Sequence, residues 1–62
     1  MNKEIINQMK KRIVILGAGE SGAGAAVLAK ANGFDVFVSD FSSIQPKYKD
    51  MLDAHGIRLE EG

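Results

Sequence analysis

Hydrophobic and polar positions along the chain predict three strands. Residues 13–16, Ile-Val-Ile-Leu, form a continuous apolar run that is rich in β-branched side chains and ends at Gly17. Such a run is typical of a parallel strand that helices bury on both faces. Residues 35–40 have the β-branched and aromatic character of a second strand. Residues 57–60 alternate apolar and charged positions and predict a third.

Two stretches with helical character separate these strands. Residues 21–32 are rich in Ala, Leu and Lys, and Gly33 supplies the stop signal. The core-facing positions predicted for this helix are Ala25, Leu28, Ala29 and Asn32. Pro46 suits the first turn of a second helix, which is expected to end at Gly56. Its predicted core-facing positions are Tyr48, Met51 and Leu52.

Together the elements predict an α/β fold. We expect a Rossmann-like, three-layer arrangement around a parallel sheet, of which this chain carries a truncated β-α-β-α-β half. The half-domain is placed at residues 12–62. Residues 1–11 are an N-terminal extension in which Ile5, Ile6 and Met9 suit a short amphipathic helix. With 62 residues the chain is about half the usual size of a domain, which predicts marginal stability.

Composition excludes several classes of protein. Eight basic residues balance eight acidic ones, which gives no sign of a nucleic-acid partner. No apolar run approaches the roughly 20 residues needed to cross a bilayer, and the first twelve residues lack the apolar stretch and cleavage site of a secretory leader, so we expect neither. No cysteine is present, so neither a disulfide nor a thiolate–metal site is expected. We therefore expect a cytoplasmic chain without a membrane, nucleic-acid or metal partner.

Candidate chemistry lies at the first strand-to-helix turn. Gly17, Gly19 and Gly22 have the G-x-G-x-x-G spacing of a phosphate-binding turn. The first glycine allows the tight turn, the second lets a phosphate approach the backbone, and the third allows close packing of the helix on the strand. Backbone N–H groups of Glu20, Ser21 and Gly22 at the helix start would face the anion.

An acidic residue follows where a nucleotide site would need one. Asp40 ends the second strand, 18 residues after Gly22, where a carboxylate that contacts ribose is expected. Taken alone, these residues predict an NAD- or FAD-binding half-domain of an oxidoreductase. A purely structural alternative stays open, in which the glycines only form a turn and Asp40 only caps a loop. Glu20 either points to solvent and stabilises the helix dipole, or contacts the ligand through its N–H.

A longer stretch of sequence is more specific than this motif. Residues 12–22, Arg-Ile-Val-Ile-Leu-Gly-Ala-Gly-Glu-Ser-Gly, and residues 33–40, ending in Val-Ser-Asp, resemble the amino-terminal segment of the D-glutamate-adding branch of the Mur ligase family. The resemblance covers nearly the whole chain from about Lys11. It implies an ATP-dependent ligase of peptidoglycan synthesis with three domains. These domains would bind UDP-N-acetylmuramoyl-L-alanine, ATP with Mg²⁺, and D-glutamate, respectively.

The resemblance also implies roles for individual residues. The implied UDP-binding residues are Gly17, Gly19, Glu20, Ser21, Gly22, Asp40, Phe41 and Ser42, the last three around the uridine. Phe41 and Ser42 stand where some members have Thr-Arg, so the phenyl ring would stack on uracil instead. No G-x-x-x-x-G-K-[ST] phosphate loop occurs in this sequence. We therefore expect no catalytic residue, metal or cofactor in this chain. Because its strands have exposed edges, we also expect the chain to self-associate.

Overall fold

The computed structural model describes residues 11–62, so the predicted N-terminal helix lies outside the described range. Within that range three strands alternate with two helices in the predicted order. The elements are β1 (Arg12–Leu16), α1 (Glu20–Ala31), β2 (Asp35–Asp40), α2 (Pro46–Ala54) and β3 (Arg58–Glu61). The predicted β-α-β-α-β order is therefore confirmed. Neither described helix is long and apolar enough to span a membrane.

The strands form one parallel sheet in the order β1-β2-β3. Ile15 of β1 pairs with Val38 of β2, which in turn pairs with Leu59 of β3. Because the strands run in the same direction, their carboxyl ends lie at one edge of the sheet, where ligands bind in open α/β folds. The glycine turn and Asp40 both lie at this edge.

A core lies between the sheet and the two helices. Val36 and Val38 of β2 are buried, and Leu52 of α2 is completely buried. Ala23 and Ala26 of α1 belong to the same cluster. Both helices cover one face of the sheet, since α1 packs on β1 and β2 and also contacts α2, which packs on β3. The described residues thus supply two layers of the expected Rossmann-like fold, the sheet and one helical layer.

The buried face of α1 differs from the sequence prediction. Ala23 and Ala26 are fully buried, whereas Ala25 is exposed and Leu28 is 65% exposed. The predicted stripe of Ala25, Leu28, Ala29 and Asn32 is wrong except for Ala29, which packs at the edge of the core. The helix starts close to β1, since a Cβ on Gly22 would collide with the Gly17 carbonyl, and small alanine side chains suit such close packing.

One face of the sheet is open in the described part of the chain. Val14 and Leu16 point away from the helices and are 53% and 79% exposed. Ile15, between them, packs against the core. The prediction that β1 is buried on both faces is therefore wrong for residues 11–62, which provide a helical layer on one side. On α2, Tyr48 packs against the core as predicted, but Met51 is 38% exposed.

Candidate functional site

Two glycines of the turn between β1 and α1 are required by the backbone itself. Gly17 has a φ of +99°, a conformation that residues with a Cβ rarely adopt. A Cβ on Gly22 would collide with the Gly17 carbonyl oxygen and lie 2.9 Å from its carbon. Helix α1 can therefore begin beside the end of β1 only because position 22 has no side chain. These constraints hold with or without a ligand.

Gly19 is not constrained in this way. It is the N-cap of α1 with a φ of −78°, which any residue can adopt. A Cβ built at this position has no heavy atom within 4 Å. Neither the turn nor the packing of residues 11–62 requires glycine here. An exposed glycine with these properties leaves room for a ligand group to approach the backbone from solvent.

The start of α1 presents backbone donors at the same place. The Ala23 N–H donates a 2.9 Å hydrogen bond to the Gly19 carbonyl, which closes the first helical turn. The N–H groups of Glu20, Ser21 and Gly22 precede it and have no partner within the helix. No side chain caps them at position 19. With the helix dipole behind them, these donors suit an anion, and the exposed Glu20 also complements the dipole.

Asp40 connects the glycine turn to the loop that follows β2. Its Oδ2 accepts a 2.7 Å hydrogen bond from the Ala18 N–H, and its Oδ1 accepts a 2.8 Å bond from the Ser42 N–H. The bond from Ala18, followed by that from Ser42, lowers the pKa of Asp40, while desolvation opposes the shift. Asp40 is therefore ionised at neutral pH, and its two oxygens hold the two loops together.

Residues 41–45, here called the β2–α2 loop, are held at their other end by β3. Ile44 is buried, and its N–H donates a 2.7 Å hydrogen bond to Glu61 Oε2. The Lys49 Nζ lies 2.7 Å from Glu61 Oε1. The bond from Lys49, followed by that from Ile44, lowers the pKa of Glu61. Sequence reasoning missed Glu61, because nothing in the chain pattern shows that its carboxylate contacts a backbone group 17 residues away.

Phe41 and Ser42 lie at the start of this loop, beside Asp40. Phe41 is 96% exposed, which is unusual for a phenyl ring, and Ser42 is also exposed. The Asp40 hydrogen bonds therefore bring the predicted glycine turn and the predicted residues 40–42 to one edge of the sheet. Within residues 11–62 no enclosed pocket surrounds these groups, and no cluster of three acidic or histidine side chains could hold a metal ion.

Curated proteins similar to this chain are named UDP-N-acetylmuramoylalanine–D-glutamate ligase. The chain is 75% identical over 52 residues to that of Bacteroides fragilis, 56% over 57 residues to that of Porphyromonas gingivalis, and 57% over 53 residues to that of Christiangramia forsetii. The matches cover 84%, 92% and 86% of this chain. They cover only 12%, 13% and 12% of the relatives, in their amino-terminal part.

The chain therefore spans about an eighth of the length of the curated relatives it matches. No protein-family model matches the chain. No solved structure matches it at a significant level.

Proposed function

This chain belongs with the amino-terminal part of the UDP-N-acetylmuramoylalanine–D-glutamate ligase family, and from that premise we propose that it binds the uridine diphosphate portion of UDP-N-acetylmuramoyl-L-alanine. The observation that carries the proposal is Gly19. Its backbone conformation and its surroundings within residues 11–62 would both accept a side chain. We infer that glycine stands at this position because it leaves the start of α1 open to a ligand. A phosphate group suits that opening, because the N–H groups of Glu20, Ser21 and Gly22, which have no partner within the helix, lie at the start of α1.

The nucleoside half of the proposed site lies across the Asp40 hydrogen bonds. An ionised carboxylate has about four lone-pair positions, of which the Ala18 and Ser42 N–H groups use two. The remaining positions of Asp40 can accept a ribose hydroxyl or a uracil N–H. The exposed ring of Phe41, the residue that follows Asp40, offers an apolar face on which uracil stacks.

For the parent protein we propose an ATP-dependent ligase that forms a C–N bond between UDP-N-acetylmuramoyl-L-alanine and D-glutamate. In this proposal ATP and its Mg²⁺ bind outside these 62 residues, since the sequence contains no G-x-x-x-x-G-K-[ST] phosphate loop. D-Glutamate binds in the last of the three domains that the family resemblance implies. The segment's task is to hold one end of the substrate, and by itself it does not catalyse the reaction.

The affinity of the isolated chain for uridine nucleotides should be low. In doubly wound sheets the ligand occupies a crevice between strands on either side of the switch point, next to the first strand. In residues 11–62, β1 is an edge strand, so the described chain provides one side of such a crevice. We expect a dissociation constant in the millimolar range, which corresponds to about −4 kcal/mol.

Titrating the ¹⁵N-labelled chain separately with UDP, UDP-N-acetylglucosamine and NADH tests the proposal. We expect both uridine ligands to shift the amide signals of Gly19, Glu20, Ser21 and Ser42, because these backbone groups surround the proposed phosphate and nucleoside positions. Equal responses to the two uridine ligands would place the contacts on the UDP portion that they share. A response to NADH alone would reject the proposal and support a nicotinamide-binding half-domain.

A further inference from the structure

The β2–α2 loop is attached to the sheet by carboxylates at both of its ends. Asp40, at the end of β2, binds the Ser42 N–H, and Glu61, at the end of β3, binds the Ile44 N–H. The loop segment between these two attachments carries no regular secondary structure of its own. Its position therefore depends on hydrogen bonds that its N–H groups donate to carboxylates of neighbouring strands, and on the buried side chain of Ile44.

Glu61 is placed for this contact by the alternation of side chains along β3. Leu59 packs against the core, and Glu60 lies on the opposite face, where it accepts a hydrogen bond from the Ser39 hydroxyl. Because alternate residues of a strand share a face, Glu61 returns to the helical side, where both of its oxygens are engaged. Oε2 accepts from the Ile44 N–H and Oε1 accepts from the Lys49 ammonium.

We propose that Glu61 is a positioning residue for the nucleoside half of the site, setting where Phe41 and Ser42 lie by holding the far end of the β2–α2 loop. This inference rests on the proposed function. It makes Glu61 partly responsible for the preference of the site for UDP over inorganic pyrophosphate. Glu61 itself touches no ligand in this proposal.

The contacts separate the role of Glu61 from that of the glycine turn. Within residues 11–62 the Glu61 carboxylate accepts hydrogen bonds from Ile44 and Lys49 and from no residue of the glycine turn. The turn is attached to β2 through the bond from the Gly17 N–H to the Ser39 carbonyl and through Asp40. Loss of Glu61 should therefore loosen the loop while the phosphate-facing donors of α1 stay in place. The buried side chain of Ile44 keeps the loop attached to the core, so Glu61 variants should still fold.

The test measures binding of UDP and of inorganic pyrophosphate to the wild-type chain and to the Glu61→Gln and Glu61→Ala variants at constant ionic strength. If the fraction of chains with a correctly placed loop falls to about a third, the apparent dissociation constant for UDP rises about threefold. We expect the affinity of both variants for UDP to fall at least about threefold, and to fall most for Glu61→Ala, which removes the hydrogen-bond acceptor. Pyrophosphate, which uses only the glycine turn, should bind each variant within about 1.5-fold of wild type.

Glu60→Gln is the matched control, because it removes the same charge from the neighbouring position on the opposite face of β3. It should leave the ratio of UDP to pyrophosphate affinity unchanged. A wild-type chain that binds UDP, with the same ratio in Glu61→Ala, would overturn the positioning role alone. Equal losses for both ligands would overturn it too. A wild-type chain that binds UDP no more tightly than pyrophosphate would overturn the proposed function together with this inference.

Discussion

Gly22 packs directly against the carbonyl group of Gly17, so that α1 begins in contact with the end of β1. A Cβ at position 22 would lie 2.9 Å from the Gly17 carbonyl carbon and closer still to its oxygen. The obstructing atoms belong to the backbone and cannot move aside as the end of a flexible side chain can. The shape of the turn that faces the proposed phosphate therefore depends on a contact between α1 and Gly17, the residue that follows β1.

Replacing Gly22 with alanine should destabilise the fold. The added methyl group forces α1 away from β1, and overpacking of this kind typically costs about 1–3 kcal/mol. Gly24→Ala is the matched control, because its Cβ would enter open space in the interior of the same helix. It should stabilise the chain by up to about 1 kcal/mol. Urea unfolding followed by circular dichroism measures both, and equal stabilities for the two variants would contradict the packing argument.

Replacing Gly19 with alanine should separate ligand binding from stability. The free energy of unfolding should change by no more than about 1 kcal/mol, owing to the weaker N-cap preference of alanine. The affinity for UDP should fall at least about fivefold, or about 1 kcal/mol, because the methyl group occupies the space through which a phosphate approaches. Gly24→Ala again serves as the control in the UDP titration. Undiminished UDP binding by Gly19→Ala would show that the phosphate does not approach at this position.

Local features of the sequence predicted local features of the structure. The β-branched residues Val36 and Val38 favour a strand, and Gly33 follows α1 with a φ of +89° that glycine adopts without strain. The spacing of Gly17 and Gly22 likewise reflects a backbone requirement contained within six residues. For this reason the element order and the turn were predictable without knowledge of the packing.

Features that depend on packing between distant elements were not predictable. Which side of α1 faces the sheet is set by how closely the helix approaches the strands, so the prediction chose Leu28 where the structure buries Ala26. The partners of Glu61 depend on how β3 lies beside the β2–α2 loop. The ligand contact of Asp40 stays a prediction, and the two hydrogen bonds by which Asp40 joins the glycine turn to the β2–α2 loop were not foreseen from the sequence.

Acid should destabilise the chain through its hydrogen-bonded carboxylates. The pKa values of Asp40, Asp35 and Glu61 are all lowered in the folded state, mainly by the backbone bond from Ala18, the side-chain bond from Arg12 and that from Lys49, respectively. A lowered folded pKa gives stability that is complete above the unfolded value, about 4, and is lost as pH falls through the folded pKa. The free energy of unfolding should therefore be level from pH 7 to about 5 and decrease below about 4.

The Asp40→Asn variant tests how much of this decrease belongs to Asp40. An asparagine offers one oxygen to two N–H donors, so its NH₂ group faces either Ala18 or Ser42. We expect a lower unfolding midpoint at pH 7 and a shallower loss of stability in acid. Asp53→Asn is the matched control, because it removes the same charge from an exposed side chain on α2. If the free energy of unfolding falls equally with decreasing pH in Asp40→Asn and wild type, Asp40 does not contribute to the loss of stability in acid.

The open edge of β1 should allow two chains to associate. Among residues 11–62, β1 pairs only with β2, and Val14 is 53% exposed on the uncovered face of the sheet. Unpaired edges of this kind offer N–H and C=O groups to another strand, and a lysine on the edge strand disfavours that pairing. Sedimentation velocity at increasing concentration should show association of the wild-type chain that Val14→Lys reduces. Leu28→Lys is the control, since it adds the same charge at an exposed apolar position on α1. The Leu28→Lys variant should associate as the wild type does, because its strand edge is intact. A wild-type chain that stays monomeric at high concentration would contradict the prediction.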